Sequence, residues 1–297
     1  MAETTSTGTI LQGVGGFYTA LDGEGREYTL RAQGKLRRER LKPKVGDRVE
    51  MMPGEGEAHG WICRILPRCN ELVRPPVANI DAIVIVVAAA TPDPDLVMAD
   101  RLMLNARRAG ISVQLVVNKC DLAPESADDI VRQYRGAQVQ PLKVCASTGE
   151  GLDALRERLK GKVHALAGQS GAGKSTLINA LYGLELETGG LSRKIERGKN
   201  TTRHCQLIPV EGGGMVLDTP GFSLLESELF DPVALKDSWP EFIPFEGQCY
   251  FQPCYHATEP RCAVLEAVAA GKIDGQRHGR YLALLEELKL RWRDRYD

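Results

Sequence analysis

The sequence predicts a mostly parallel α/β fold of the nucleotide-binding P-loop type, with a small β-barrel before it and a compact cysteine-bearing helical unit after it. Three observations carry this. Residues 168–175, GQSGAGKS, stand between a short apolar run, Val163–Ala167, and the helix-forming stretch Thr176–Leu181. From Ile80 onward, apolar runs of strand length alternate with helical spacing, the mark of a parallel sheet covered by helices. Cys249, Cys254, His256 and Cys262 fall within fourteen residues.

The 297 residues leave room for two or three domains, expected at 1–74, 75–235 and 236–297, and 43% apolar content is ample for their cores. A formal net charge of −1 excludes a chain that is basic throughout, though not a local basic patch. No apolar run approaches the ~20 residues that span a membrane. The start, MAETTSTGTI, lacks the basic-then-apolar order of a secretory signal. Of eight cysteines, Cys63, Cys69, Cys120, Cys145 and Cys205 are scattered and three are clustered. That usage fits a reducing cytoplasm and a metal site better than a disulfide scaffold. A cytoplasmic monomer is expected.

Residues 1–74 read as short strands divided by glycine-rich turns. Thr9–Leu11, Gly16–Thr19, Glu27–Leu30 and Asp47–Glu50 are the candidates, with no helical period among them. An OB-type barrel is expected, with an SH3-like barrel as the alternative. Between Arg31 and Arg48 the chain is strongly basic: Arg31, Lys35, Arg37, Arg38, Arg40, Lys42, Lys44 and Arg48 stand against Glu39 and Asp47. Such a run neutralises RNA phosphates or forms a solvated loop. Phe17, Tyr18, Tyr28 and Trp61 are candidates to stack on bases, although most of them read as core.

Arg74-Pro75-Pro76 reads as a linker. Ile80–Val87, apolar apart from Asp81, suits a strand buried on both faces. Leu96–Arg108 has helical spacing, with Gly110 as its stop. Val113–Val117 is a second buried strand, Pro124–Tyr134 a helix, Val139–Val144 a strand, and Gly151–Leu159 a helix before the P-loop strand.

The loops at the strand ends carry the chemistry. In GQSGAGKS, Gly168 and Gly173 bracket Gln169, Ser170, Gly171 and Ala172, and Lys174 and Ser175 follow, with Thr176 next. Glycines let backbone N–H groups turn inward, and the helix N-terminus adds positive potential for phosphate oxygens. Lys174 is expected on the β- and γ-phosphates and Ser175 on Mg²⁺. NKCD at 118–121 ends a strand on the face where open α/β sheets bind ligands. The Asp121 carboxylate can accept from guanine N1–H and the 2-amino group. Adenine offers neither donor, at a cost of ~1–3 kcal/mol or more. Asn118 braces the loop, the Lys119 stem covers the purine and ribose face, and Cys120 fills the free position. Cys145-Ala146-Ser147, at the next strand end, offers backbone N–H groups to the guanine O6.

Asp218-Thr219-Pro220-Gly221 follows Gly214–Leu217 and matches the DxxG switch. Asp218 is expected on Mg²⁺ through a water, and the Gly221 N–H on the γ-phosphate. Between the P-loop and this switch lies GKNTTR, where Thr202, or its neighbour Thr201, would reach Mg²⁺ when γ-phosphate is present. Together these motifs specify GTP, but their order is unusual. Ordinary GTPases run P-loop, switch threonine, DxxG, NKxD, SA-loop. This chain runs NKxD, SA-loop, P-loop, threonines, DxxG. The fold class is therefore an α/β P-loop GTPase, circularly permuted, with an N-terminal OB-type β-barrel. The C-terminal unit is a zinc-binding helical domain: Cys249, Cys254, His256 and Cys262, spaced C-x4-C-x-H-x5-C, make a closed tetrahedral Zn²⁺ site with no position left for substrate. A final helix, Tyr281 to about Arg293, packs a leucine face beside it.

Permuted order, N-terminal barrel and zinc spacing together resemble one family over essentially the whole chain, the bacterial small-ribosomal-subunit biogenesis GTPases called RsgA or YjeQ. The resemblance implies binding to the 30S subunit and its 16S rRNA late in maturation, with hydrolysis stimulated by that subunit and GTP and GDP as the nucleotide partners. It places Asn118, Lys119 and Asp121 on guanine, residues 168–176 on phosphates, and Cys249, Cys254, His256 and Cys262 on zinc.

One departure stands out. The family usually has histidine before the switch threonines, where this chain has Asn200. Phe222, just after DTPG, stands where many GTPases carry a water-orienting glutamine, and an apolar ring cannot hydrogen-bond water. Asn200, His204 or a partner is then left to position the nucleophile. Slow intrinsic hydrolysis is expected. The main reading is a switch enzyme whose GTP-ordered loops reposition the zinc domain relative to the barrel. The alternative is an RNA-binding scaffold that holds GTP without efficient hydrolysis.

Overall fold

A computed structural model describes residues 5–54, 58–73, 75–186, 205–218 and 229–296. Five strands open the chain: β1 (Ser6–Val14), β2 (Phe17–Asp22), β3 (Glu27–Ala32), β4 (Arg48–Met52) and β5 (Gly60–Ile65). They pair in the order β1-β2-β3-β5-β4 and back to β1, with only β3–β5 parallel. This is the OB order rather than the SH3-like alternative. Alternation puts Ile10, Ala20, Leu30, Val49, Met51 and Ile62 inside, fully buried. The short helix α1 (Gly34–Arg38) adds Leu36 to that core. Neither α1 nor β5 was expected from the sequence. Five residues are too few to display a helical period, and α1 lies within the basic run.

The expected linker is no free tether. On either side of Arg74, which lies outside the described residues, the chain is pinned. The Asn70 side chain donates to the Ile80 carbonyl and accepts from the Ile80 N–H, and the Asn79 side chain accepts from the Cys69 N–H and donates to the Gly46 carbonyl. Val45 bridges Val77, and Arg68 holds the fully buried Asp47 carboxylate at 2.7 Å. Leu72, Val77 and Ile80 are buried in the next core.

That core belongs to a second sheet: β6 (Ala82–Ala88), α2 (Leu96–Arg108), β7 (Ser112–Asn118), α3 (Pro124–Gln133), β8 (Leu142–Lys143), α4 (Leu152–Leu159), β9 (Val163–Ala167), α5 (Lys174–Tyr182), β10 (Gln206–Val210) and β11 (Gly214–Asp218). The order is β10-β11-β9-β6-β7-β8, parallel except for β10. Side chains of β6 alternate between two cores. Ile83, Ile85 and Val87 pack with α2 and α3, while Val84 and Val86 pack with α4 and α5. Helices thus cover both faces, as a fully buried strand requires. Strand β8 is shorter than expected because the Gln140 carbonyl is taken by Arg158 and Gln114 instead of a ladder. Strand β10 was not expected at all. Pro209 argues against a central strand, but β10 meets β1 through a single pairing, Gln12 opposite Gln206, and otherwise stands at an edge. That pairing joins barrel and sheet.

The C-terminal part of the chain runs through two 3-10 turns, Pro232–Ser238 and Pro240–Phe245, then α6 (Ala263–Ala269) and α7 (Gly275–Arg293). Trp239, Phe242, Tyr281 and Leu285 form its core, joined by Leu104 of α2. Helix α7 starts at Gly275 rather than Tyr281: the Asp274 carboxylate caps it by accepting from the Gln276 and Arg277 N–H groups at 3.0 Å. Its leucine face is Leu284, Leu285 and Leu288, whereas Leu290 is exposed.

Candidate nucleotide site and candidate metal centre

Three predicted loops meet at the C-terminal ends of the parallel strands. Gly168 leaves β9 with φ +136°, and a Cβ there would lie 2.2 Å from the Val86 carbonyl oxygen. Gly173 sits at φ +94°, where a Cβ would come within 2.4 Å of the Asn118 amide. Glycine is therefore required at both positions, at the first by the neighbouring strand and at the second by NKCD. The buried Asn118 side chain joins the loops: its Nδ2 donates to the Ala172 carbonyl at 2.9 Å and its Oδ1 accepts from the Ala146 N–H at 3.2 Å. Lys119, in the left-handed region at φ 61°, donates to the carbonyls of Gly171, at 2.9 Å, and Thr91. Cys120 is buried beneath the loop, and Asp121 stands exposed at its end, ready to be covered by a ligand. Cys145 Sγ lies 3.1 Å from the Ser147 hydroxyl, which fixes the neighbouring turn.

Helix α5 starts at Lys174, so its free N–H groups face the loop. Lys174 Nζ folds back on the carbonyls of Gly168 and Gln169 at 2.7 and 2.8 Å, and burial holds its pKa below the usual lysine range. Among the described residues it meets carbonyl dipoles but no carboxylate, an arrangement that phosphate improves. Ser170, Gly171 and Thr176 are exposed at the mouth, and Ser175 is half-buried. Asp218 ends β11, the parallel neighbour of β9. Burial raises its carboxyl pKa, and among the described residues it has no cationic partner. A divalent cation suits that carboxylate together with the Ser175 hydroxyl.

Asn200, Thr201, Thr202, His204, Gly221 and Phe222 lie outside the described residues. One wall of the site was missed in the sequence. The loop after β6 supplies the Thr91 carbonyl to Lys119, and the Asp95 N–H donates to the Gln169 side chain at 3.2 Å. Its place at the carboxyl end of a strand was the available signal. A cavity of about 620 Å³ opens at the opposite strand ends, between Tyr182, Lys160 and Glu211, and contains none of the motif residues.

The four cysteine and histidine ligands come together, all buried, with ligand atoms within 4.8 Å of one another. Cys249 and Cys254 each lie 3.8 Å, sulfur to sulfur, from Cys262, and His256 Nδ1 lies 3.3 Å from Cys262 Sγ. A tetrahedron with metal–sulfur bonds of about 2.3 Å has edges of about 3.8 Å. The cluster can therefore hold a metal. Burial pushes the Cys254 thiol up to about 12, which leaves little thiolate unless a cation displaces the proton. The Glu259 carboxylate stiffens the loop by accepting from the N–H groups of Tyr255, Ala257 and Thr258.

Known proteins align over nearly the whole chain. The family model described as RsgA GTPase matches residues 65–228, and that described as RsgA N-terminal domain matches 7–62. The small ribosomal subunit biogenesis GTPase RsgA of Agathobacter rectalis is 40% identical, covering 96% of this chain and 99% of its own. Its counterpart in Geobacillus kaustophilus is 42% identical, over 96% and 98%. The crystal structure of YjeQ from Thermotoga maritima superposes with a TM-score of 0.83 at 35% identity, over 96% of this chain and 99% of that one. YloQ, described as a circularly permuted GTPase, gives 0.80 at 30%, over 97% and 96%.

Proposed function

Because the chain belongs to the RsgA GTPase family, we propose that it binds and hydrolyses GTP and assists late maturation of the 30S ribosomal subunit, with hydrolysis stimulated by that subunit. The observation that carries the nucleotide part is the Asn118 side chain, which ties the P-loop to the SA-loop and so gathers three motifs into one cleft. In this reading Asp121 accepts from guanine N1–H and the 2-amino group. Lys119 covers the base, and the backbone at Ala146 and Ser147 meets O6. Residues Gly168 to Thr176 surround the phosphates, with Lys174 turning from its carbonyls to the β- and γ-oxygens. Ser175, Thr202 and Asp218 are the residues that would hold Mg²⁺, which neutralises developing phosphate charge when bound. The Gly221 N–H meets the γ-phosphate. Water attacks the γ-phosphorus and the bond to the bridging oxygen breaks, giving GDP and phosphate. Asn200, His204 or a group from the subunit orients that water.

The C-terminal cluster would hold one structural Zn²⁺, and metal analysis should find one zinc per chain. The units are taken as 1–74, 75–235 and 236–297, with Phe230 and Leu235 of the second packed into the third's core. The barrel binds 16S rRNA, and the protein works as a cytoplasmic monomer. Among the described residues no helix is long and apolar enough to cross a membrane.

The deciding experiment is hydrolysis of GTP and of ATP, each with and without purified 30S subunits. GTP turnover that is slow alone and rises strongly with subunits is expected. Indifference to subunits would overturn the ribosomal part, and preference for ATP the nucleotide part. Bound GTP that is not cleaved even in a single turnover with subunits would favour the scaffold reading, which Asn200 and Phe222 motivate.

A further inference from the structure

Three barrel strands line up a row of side chains that the nucleotide chemistry does not use. Phe17 on β2 pairs with Arg31 on β3, and Arg31 pairs in turn with Trp61 on β5. Residues opposite one another in register share a face, and the next row, Tyr18, Leu30 and Gly60, turns the Leu30 side chain into the barrel core. The first row therefore points outward. Phe17 is 44% and Trp61 40% exposed. His59, just before β5, extends the row: its ring centroid lies 5.8 Å from that of Phe17 and 5.2 Å from that of Trp61, both edge-to-face. The Arg31 guanidinium lies 5.1 Å from the Phe17 ring centre.

Isolated exposed apolar side chains need no explanation, but contiguous ones do. Here the rings are contiguous and interleaved with a cation. A hollow of about 300 Å³ touches Gly16 and Ala32, the chain neighbours of Phe17 and Arg31, on the face of these strands that alternates away from the rings. Arg40 and Lys42 line it, with Tyr18 as a wall. Among the described residues neither cation is in an ion pair, whereas Lys44, two residues on, is bound to Glu71 at 3.2 Å. Outward aromatic faces interleaved with Arg31, with those two cations on the flanking face, suit one ligand chemistry. Bases with free faces stack on the rings, and the phosphates joining them meet the cations. A duplex hides its base faces and offers phosphates alone. A protein surface would need carboxylates set beside apolar groups at this spacing, whereas in a single strand every base carries its own phosphate.

We propose that Phe17, His59 and Trp61 form a stacking platform for unpaired bases of single-stranded RNA, with Arg31, Arg40 and Lys42 taking the adjoining phosphates. This rests on the reading that the barrel binds ribosomal RNA, and names what in that RNA it reads.

The test uses the full chain and two RNAs of equal phosphate number, an unstructured strand and a blunt-ended duplex. Joint replacement Phe17→Leu and Trp61→Leu keeps apolar bulk but removes two rings. It should weaken single-strand binding about tenfold or more and leave duplex binding unchanged. Lys42→Ala should weaken both and flatten the salt dependence. Both positions are exposed, so basal GTP hydrolysis and the melting temperature should hold. As an independent readout, the single strand should quench indole emission in the parent chain and not in Trp61→Leu, which keeps Trp239 and Trp292. Equal losses for strand and duplex, or no loss for the strand, would overturn the platform while leaving RNA binding intact. Loss of 30S binding with protein-free RNA binding unchanged would assign the row to a protein partner and overturn it too. If the parent chain binds neither RNA, the ribosomal RNA reading fails itself, and the platform with it.

Discussion

Asp121 stands exposed at the end of β7, and its value lies in having two acceptor atoms and no donor. Asp121→Asn keeps the shape and turns one acceptor into a donor, which then faces the guanine 2-amino group. GTP affinity should fall about 10- to 100-fold, on the order of 1–3 kcal/mol, while xanthosine triphosphate, with oxygen at that ring position, should gain. Titration of both fluorescent nucleotides measures this, and unchanged GTP affinity would remove Asp121 from base recognition. A second carboxylate works for the barrel. Asp22 accepts from the Arg26 N–H, the Arg26 guanidinium, the Glu24 N–H and the Tyr28 hydroxyl at 2.9–3.1 Å. The Arg26 backbone bond is the largest influence, burial opposes it, and the net result is a pKa lowered from 3.8 to about 2. A carboxyl depressed on folding binds fewer protons in the native state. Its contribution is therefore complete above about pH 4 and fades as pH falls toward 2. Acid titration of barrel unfolding should show this limb, and Asp22→Asn should flatten it.

Between elements, the joint of barrel and nucleotide sheet rests on one irregularity. The β1–β2 register slips between Ile10 and Gln12, leaving Leu11 without a cross-strand partner. Leu11 is 2% exposed and packs outside the barrel, in the core that holds Leu207 of β10 and Leu217 of β11. Leu11→Ala should cost about 3 kcal/mol and raise hydrogen exchange in β10 more than in β2 and β3, where Ile10 still fills the barrel. Equal loosening of all barrel strands would place Leu11 in the wrong core. This joint also shows where the sequence runs out. The loops that meet the nucleotide were legible because chemistry restricts them to a few residue types. Strands β6, β7 and β9 were legible because burial on both faces leaves a mostly apolar run, broken only by Gln114 within β7 and His164 within β9. Strand β10 was hidden by Pro209, which only edge placement excuses. The start of α7 was hidden by Gly275 and Gly279 and by buried polar residues, Arg277 and Arg280 against α2 and α3 and His278 within its own unit. The exposure of Phe17 and Trp61 was hidden too. Alternation separates two faces of a strand, and only pairing tells which one meets water.

Across the whole molecule, the permuted order hands the chain from Asp218 directly to the C-terminal unit, which invites the view that GTP swings that unit against the nucleotide sheet itself. The packing argues against it. Asp100 of α2, fully buried, binds Arg277 and, at 2.6 Å, Arg280 of α7 and the Tyr134 hydroxyl. Arg277 also reaches Glu241 at 2.5 Å, and Arg280 reaches Gln133 at 2.6 Å. Burial alone would lower the Arg277 pKa, but Asp100 and Glu241 reverse that and hold it above the usual arginine range. Arg107 adds a bond to the Ser238 carbonyl, and the Arg108 guanidinium lies 3.6 Å over the Phe230 ring. Opening this cluster strands buried charge, at a cost of about 3–5 kcal/mol, whereas a ligand couples to a distant equilibrium by about 1–3 kcal/mol. The cluster wins, so the C-terminal unit should travel with α2 and α3 as one body in both nucleotide states. A spectroscopic distance between labels on α3 and α7 should be the same with GDP and with a non-hydrolysable GTP analogue. Asp100→Asn leaves Arg277 with Glu241 alone and Arg280 with no carboxylate among the described residues, and should both lower stability by about 3 kcal/mol or more and make that distance depend on the nucleotide. A distance that already differs between the two states in the parent chain would show the cluster opening in the cycle, and would return the swinging unit to consideration.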